Sequence, residues 1–142
     1  MSTSNAKEGL FFADTRDGDA DQSDVVFLLI DKGADLNLAR PKGVTPLFQA
    51  TETRNTAMVM LLLKNGADFD KAYEDGDTPL TRAAAEGDVG VVRLLLERGD
   101  NVDKTNDRGN TPLMYAAKNG HHEVAEILVA NEANVDRTNQ FG

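Results

Sequence analysis

Runs of three apolar residues recur along the chain at a constant spacing of 33 residues. They occupy residues 28–30, 61–63, 94–96 and 127–129. The tripeptide Thr-Pro-Leu keeps the same spacing, with its threonines at positions 45, 78 and 111. Several residue classes hold this period from about residue 24 onward, which indicates a chain built from internal repeats.

One repeat predicts two helices and a turn. Threonine before proline is typical of a helix start, because the hydroxyl caps a free backbone N–H and proline suits the first helical position. The spacing predicts a short, alanine-rich helix from Pro79 to about Glu86 and a second helix over residues 89–98. Gly99 is placed to end the second helix in a left-handed conformation. Residues 107–109 predict a hairpin tip. The second helix is expected to bury its apolar residues, which are Val91, Val92, Leu94, Leu95 and Leu96.

Such a unit cannot cover its own apolar surface, so neighbouring units must stack on it. Residues 1–142 are therefore predicted to form a single repeat domain, which the period divides into units. Unit 1 spans 1–38 and is an irregular N-terminal capping repeat with a four-residue insertion, because residues 10–13 resemble 47–50 at an offset of 37. Units 2, 3 and 4 span 39–71, 72–104 and 105–137, and residues 138–142 are the start of a further repeat or a tail.

Three stretches together resemble the ankyrin-repeat family: VTPLFQATETRNTAMVMLLLKNGADFD, DGDTPLTRAAAEGDVGVVRLLLERGDNVD and RGNTPLMYAAKNGHHEVAEILVANEANVD. The resemblance covers roughly residues 5–142. It implies an all-α ankyrin-repeat solenoid of helix-turn-helix units with projecting β-hairpin loops. It also implies a non-catalytic module that binds proteins.

The chain departs from the family pattern at identifiable positions. The histidine that usually follows Thr-Pro-Leu is replaced by Phe48, Thr81 and Met114. In the family this histidine ties hairpins together, so the resemblance implies weaker hairpin order here. Arg54 stands where glycine is usual, and Glu132 replaces the glycine that ends a helix. The last helix is therefore predicted to end without the usual glycine.

Charge and composition exclude several kinds of ligand. Acidic residues outnumber basic ones by 24 to 15, giving a net charge of −9. Such a surface repels phosphate groups, so we expect no nucleic acid and no anionic membrane as the main ligand. No cysteine is present, which rules out disulfides, thiolate metal sites and cysteine nucleophiles. With no signal-like segment at its start, the chain is expected to be cytoplasmic, and we expect a monomer.

Three short motifs suggest chemistry that the repeat explains better. Asp17, Asp19 and Asp21 alternate as in a calcium loop, but the sixth and twelfth positions lack the required glycine and glutamate. A solvated acidic insertion, residues 14–24, is the favoured interpretation, with weak cation binding as the alternative. Residues 98–100 spell Arg-Gly-Asp, a tripeptide typical of integrin-type adhesion. Its glycine is the one that ends the second helix of unit 3, so the repeat explains the motif.

His121, His122, Glu123 and Glu126 form the one metal-like cluster in the sequence, and it offers too few ligands of the right type for zinc. No nucleophile has a base beside it in the sequence. We therefore expect no catalytic residue, no cofactor and no metal site.

The resemblance places partner binding on the concave side, at hairpin tips and exposed positions of the first helices. Carried over by position, the candidate partner-binding residues are Lys42, Val44, Phe48, Gln49, Glu52, Glu74, Asp75, Asp77, Thr81, Arg82, Arg108, Asn110, Met114, Tyr115 and Lys118. Tyr115 and Arg82 are preferred as anchors, because interface energy concentrates on tyrosine and arginine. The alternative for Phe48 and Met114 is that they pack beneath neighbouring hairpins.

Charge is uneven along the array. Residues 40–72 carry five basic and three acidic residues, whereas residues 73–105 carry four basic and eight acidic ones. Residues 73–77, Tyr-Glu-Asp-Gly-Asp, form an acidic turn, which predicts a partner with a basic segment. Two other interpretations stay open: a regulatory or targeting segment of a larger enzyme, channel or secreted effector, and a structural spacer that self-associates. The sequence also leaves open a fragment of a longer array, a short natural protein and an engineered one.

Overall fold

The computed structural model describes residues 20–142, with side chains from residue 24 onward. In this part the chain forms seven α-helices and a 3-10 turn at Pro41–Gly43. The helices are α1 (Ala20–Asp31), α2 (Pro46–Glu52), α3 (Thr56–Lys64), α4 (Pro79–Glu86), α5 (Val89–Glu97), α6 (Pro112–Lys118) and α7 (His122–Ala130).

The first helix of each regular unit begins as the Thr-Pro pattern predicts. The hydroxyl oxygens of Thr45, Thr78 and Thr111 each accept a hydrogen bond from the backbone N–H three residues later, over 3.1 to 3.3 Å. A proline occupies the first helical position in all three helices. Three orphan N–H groups are thus satisfied by local sequence alone.

Two helix boundaries depend on left-handed residues that are not glycine. Glu132 follows α7 with a φ of 70°, and its N–H donates to the carbonyl of Val129 over 3.0 Å. Arg54 has a φ of 58° in the turn between α2 and α3, where the equivalent residue of unit 3, Gly87, has 75°. The backbone geometry is therefore kept at both positions although the glycine is lost, at a conformational cost.

The helices stack in two rows. The first helices α2, α4 and α6 pack successively on one another, and the second helices α3, α5 and α7 form the parallel row behind them. Val59, Leu62, Val92, Leu95 and Leu128 are fully buried between the rows. Leu94 and Leu96 are only partly buried, which corrects the expectation that all five apolar residues of α5 lie inside. The fold is the all-α solenoid that the repeat predicts.

The turns between units are tied to one another by backbone hydrogen bonds. The acidic turn closes with Tyr73 N–H donating to the Asp77 carbonyl over 2.7 Å, and the next turn closes with Asn106 N–H donating to Asn110 over 3.1 Å. Asp107 N–H then donates to the Asp75 carbonyl over 3.0 Å, which joins the two turns. Within residues 20–142 the only β pairing is an isolated bridge between Arg40 and Val44.

The N-terminal expectations are only partly covered by the structure. Residues 10–13 and most of the acidic insertion, with Asp17 and Asp19, lie outside the described residues. The insertion was expected to run through residue 24, but α1 already begins at Ala20, so its last five residues are helical. Among the described helices, none is long and apolar enough to cross a bilayer.

Candidate partner-binding surface

Phe48, Thr81 and Asp77 are buried, which corrects their assignment as direct contacts. Phe48 and Thr81 expose none of their surface and Asp77 only 6%. The Phe48 ring stacks on Tyr73 of the acidic turn, with centroids 5.1 Å apart and planes 4° from parallel. An aromatic ring in the place of the usual histidine gains more by burial under the next turn than by exposure. These residues support the surface from beneath.

Arg82 lies between units 2 and 3. Its guanidinium carbon is 5.6 Å from the Phe48 ring centroid, and its Nη2 is 3.8 Å from Glu52 Oε1. Glu86, one turn along α4, is partly buried, and this burial raises the pKa of its carboxyl against the opposing charges of Arg82 and Arg54. Arg82 is therefore partly occupied in holding the stack, while about a third of its side chain stays exposed.

Asp77 is the centre of a polar network that joins units 3 and 4. Its Oδ1 accepts from Asn106 Nδ2 over 3.1 Å and from the Tyr115 hydroxyl over 3.3 Å, and it lies 3.3 Å from the Thr81 hydroxyl. Asn106 Nδ2 also donates to the Tyr115 hydroxyl oxygen over 2.8 Å. The network supplies side-chain hydrogen bonds between units 3 and 4, in the unit where Thr81 stands in place of the usual histidine. It also leaves Glu74 as the exposed charge of the acidic turn, with Asp75 half-buried beside it.

The network perturbs Tyr115. Burial raises the pKa of its hydroxyl, a hydrogen bond with Asn110 opposes this, and the charge of Asp77 adds to the rise. The hydroxyl is thereby held as a neutral group that both donates and accepts. Tyr115 is half-buried, so part of its ring remains available at the surface.

Arg108, Asn110, Met114, Tyr115 and Lys118 come together around a pocket of about 300 Å³, which we call the cationic pocket. All five were predicted from the sequence. Arg108 and Asn110 are supplied by the turn of unit 4, and the other three by α6. Met114 Sδ also lies 3.4 Å from the Thr111 N–H, which fixes this flexible side chain against the start of α6.

Asn139 and Phe141 complete the cationic pocket and were missed by sequence reasoning. Asn139 Nδ2 donates to Asn110 Oδ1 over 2.8 Å, and Gln140 N–H donates to the Arg108 carbonyl over 3.0 Å. The signal was present, since Asn139 follows Asn106 by 33 residues and its side chain likewise accepts from the backbone N–H two residues later. Residues 138–142 therefore form one further turn of the series.

The unit 2 candidates do not line the cationic pocket. Lys42 and Glu52 are exposed, whereas Val44 and Gln49 are half-buried. In the acidic turn, Glu74 is exposed, and Asp75 is half-buried with its Oδ1 accepting from the Asp77 N–H over 3.2 Å. The predicted site is thus divided into a unit 2 portion, the acidic turn and the cationic pocket.

The metal-like and Arg-Gly-Asp motifs have structural roles. His121 Nε2 lies 2.9 Å from the Ala85 carbonyl, and His122 Nε2 pairs with Glu126 Oε1 over 2.8 Å on the surface. Within residues 20–142 no group of three or more potential metal ligands is found. Arg98 donates to the Leu63 carbonyl over 3.0 Å, and Asp100 is only 8% exposed. The tripeptide is therefore part of the stack.

A protein-family model matches the chain, over two ranges. The family model described as ankyrin repeats (3 copies) matches residues 17–106 and, overlapping, residues 73–139. Together the two matches span most of the chain. No curated protein matches the chain significantly.

Proposed function

The chain belongs to the ankyrin-repeat family, and from this premise we propose that it is a non-catalytic module that binds a protein or peptide on its turns and first helices. Ankyrin repeats generally mediate protein–protein interactions and are generally non-catalytic. The observation that carries the proposal is the cationic pocket, where five residues chosen from sequence position line one concave feature. Binding sites in proteins are typically concave, with a few polar or charged groups set among apolar and aromatic side chains.

The binding residues under this proposal are the accessible members of the predicted set. Phe48, Thr81 and Asp77 act by holding the turns in place, because they expose almost no surface. A basic segment of the partner would lie against the exposed Glu74 and the half-buried Asp75 of the acidic turn. Charge pairs of this type mainly raise the association rate and set specificity.

Affinity capture with charge-reversal variants tests the proposal. The whole chain is used as bait, and retained proteins are quantified by mass spectrometry against Lys118→Glu and Glu74→Lys variants. Matched controls are Arg93→Glu and Glu97→Lys, which make the same charge changes at exposed positions of α5 in the second row. A partner that is lost with the first pair and kept with the second supports the proposal.

The opposite outcomes count against it. If the controls reduce capture as much as the surface variants, the binding face lies elsewhere. A partner that is released by neither pair would also show that the turns and first helices are not the site. Because the four positions are exposed, each variant is expected to fold, and circular dichroism checks this.

The proposal includes a cytoplasmic location and a monomeric state. A cytoplasmic location agrees with a sequence that has no cysteine. For assembly we propose a monomer. One feature that would favour self-association is the outer side of α7, where Val129 is 48% exposed. Sedimentation over a hundredfold concentration range decides this, since self-association through that side would raise the apparent mass with concentration.

A further inference from the structure

The cationic pocket has the opposite charge to the protein as a whole. Among the described residues that line it, Arg108 and Lys118 are charged and none carries a carboxylate. The acidic turn lies on the other side of Tyr115, whose hydroxyl faces Asp77. A chain of net charge −9 therefore carries a local positive site beside its acidic turn.

The two cations are not neutralised by the rest of the protein. Neither the Arg108 nor the Lys118 side chain forms an ion pair or a hydrogen bond within the part of the chain that the structure describes. Elsewhere in this part, Arg82 and Arg54 do have carboxylates nearby, at 3.8 and 4.0 Å. An arginine with its donors free can take a carboxylate through two parallel hydrogen bonds.

The remaining lining is mixed: Asn110 and Asn139 are polar, whereas Met114, Tyr115 and Phe141 supply apolar surface. Of these apolar side chains, Phe141 is the most open to solvent, at 79% exposed. The polar groups nearby are already engaged, because Asn110 Oδ1 accepts from Asn139. A volume of about 300 Å³ lies at the lower end of the range for ligand pockets, so it suits one or two side chains.

We infer that the cationic pocket receives an aspartate or glutamate side chain of the partner, with an adjacent apolar side chain against Met114 and Phe141. This inference rests on the proposed function and adds the chemistry of the bound segment. It also differs from the basic segment expected at the acidic turn, so one partner would present charges of both signs. Adjacent units stand about 10 Å apart, which an extended peptide crosses in about three residues.

Titration of the whole ¹⁵N-labelled chain with blocked tripeptides tests the inference directly. The probes are acetyl-Leu-Glu-Leu-amide and its Gln and Lys counterparts, which share one backbone and two leucines. The Glu peptide is expected to shift the amide signals of residues 108–118 and 139–142 and to bind about fivefold more tightly than the Gln peptide. This preference should weaken as salt is raised.

Matched variants show whether the pocket cations cause the preference. In Arg108→Gln/Lys118→Gln the preference for Glu over Gln should disappear, while Arg93→Gln/Lys64→Gln, at exposed positions of the second row, should keep it. Lys118→Gln alone, at an exposed position, should reduce the preference if the double variant does not fold.

Three results would overturn the inference: equal binding of the Glu and Gln peptides, tighter binding of the Lys peptide, or no shift at residues 108–118 and 139–142. The proposed function still stands after any of these three results if the Glu74→Lys variant no longer captures the partner. If partner capture is unchanged in both Glu74→Lys and Lys118→Glu, the proposed function itself is wrong.

Discussion

The phenolic hydroxyl of Tyr115 donates a hydrogen bond to the Asp77 carboxylate, 3.3 Å away and one unit earlier in the stack. One residue thus serves two purposes, since its ring lines the cationic pocket while its hydroxyl joins units 3 and 4. A Tyr115→Ala variant would consequently mix a loss of binding with a loss of stability. Variants at Lys118 and Glu74 separate the two effects, because those side chains do not hold the stack.

Removing only the hydroxyl should weaken the junction between units 3 and 4. Tyr115→Phe deprives Asp77 and Asn106 of a hydrogen-bond partner, so the free energy of unfolding should fall by about 1 kcal/mol. Urea unfolding followed by circular dichroism measures this. Tyr73→Phe is the matched control, because the Tyr73 ring stacks on Phe48 and its hydroxyl has no hydrogen bond within the described residues. An equal loss in both variants would contradict the role of the network.

Asp100 should make stability depend on pH. It occupies the position that Ala67 and Ala133 fill in the neighbouring units, and its Oδ2 is buried with no hydrogen-bond partner among residues 20–142. Burial, helped by the nearby charge of Asp70, raises the pKa of its carboxyl to about 7, with Asn101 N–H and Lys104 opposing and Asp68 adding slightly. The unfolded value is about 3.9, so the folded protein holds this proton more tightly than the unfolded one. Ionisation therefore costs stability from about pH 4 upward, and the cost is complete above about pH 7.

Replacing this carboxyl should remove the cost. Asp100→Ala should raise the free energy of unfolding by on the order of 2 kcal/mol at pH 8, and the gain should shrink toward pH 4. Urea unfolding at both pH values measures the difference. Asp136→Ala, at an exposed position, controls for the change in net charge. A gain that is the same at both pH values would show that packing, not ionisation, is responsible.

Glu132→Gly should stabilise the end of α7. Glutamate at a φ of 70° pays a steric cost that glycine avoids, and this outweighs the greater flexibility of glycine in the unfolded chain. We expect a gain of about 0.5 kcal/mol, seen as a higher midpoint of thermal unfolding. Glu126→Gly, in the interior of α7, is the control and should lose about 1 kcal/mol. A loss in both variants would contradict the strain at Glu132.

How far the sequence predicts this molecule depends on whether a feature arises within one unit or between units. The bounds of α4 follow from Thr78, Pro79 and Gly87, and the observed helix matches the prediction; α5 ends one residue earlier than predicted. Such features depend on neighbouring residues and repeat with the period.

The burial of Phe48 and Asp77 could not be predicted in the same way. Phe48 is covered by Tyr73, and Asp77 is held by Asn106 and Tyr115, all from the following unit. Periodicity places these side chains on the correct side of the stack. Whether such a side chain is exposed to a partner or buried within the stack depends on which residue of the following unit lies over it.

Phe48 should therefore behave as a structural residue. Phe48→Ala removes a fully buried ring along with its contacts to Tyr73 and Arg82, so the free energy of unfolding should fall by about 3–5 kcal/mol. Met114→Ala, at the equivalent position of unit 4 but only half-buried, should cost clearly less. Urea unfolding compares the two. For the folded fraction of Phe48→Ala, affinity for the Glu tripeptide should be unchanged, because Phe48 does not line the cationic pocket. Weakened binding without any loss of stability would instead restore Phe48 as a direct contact.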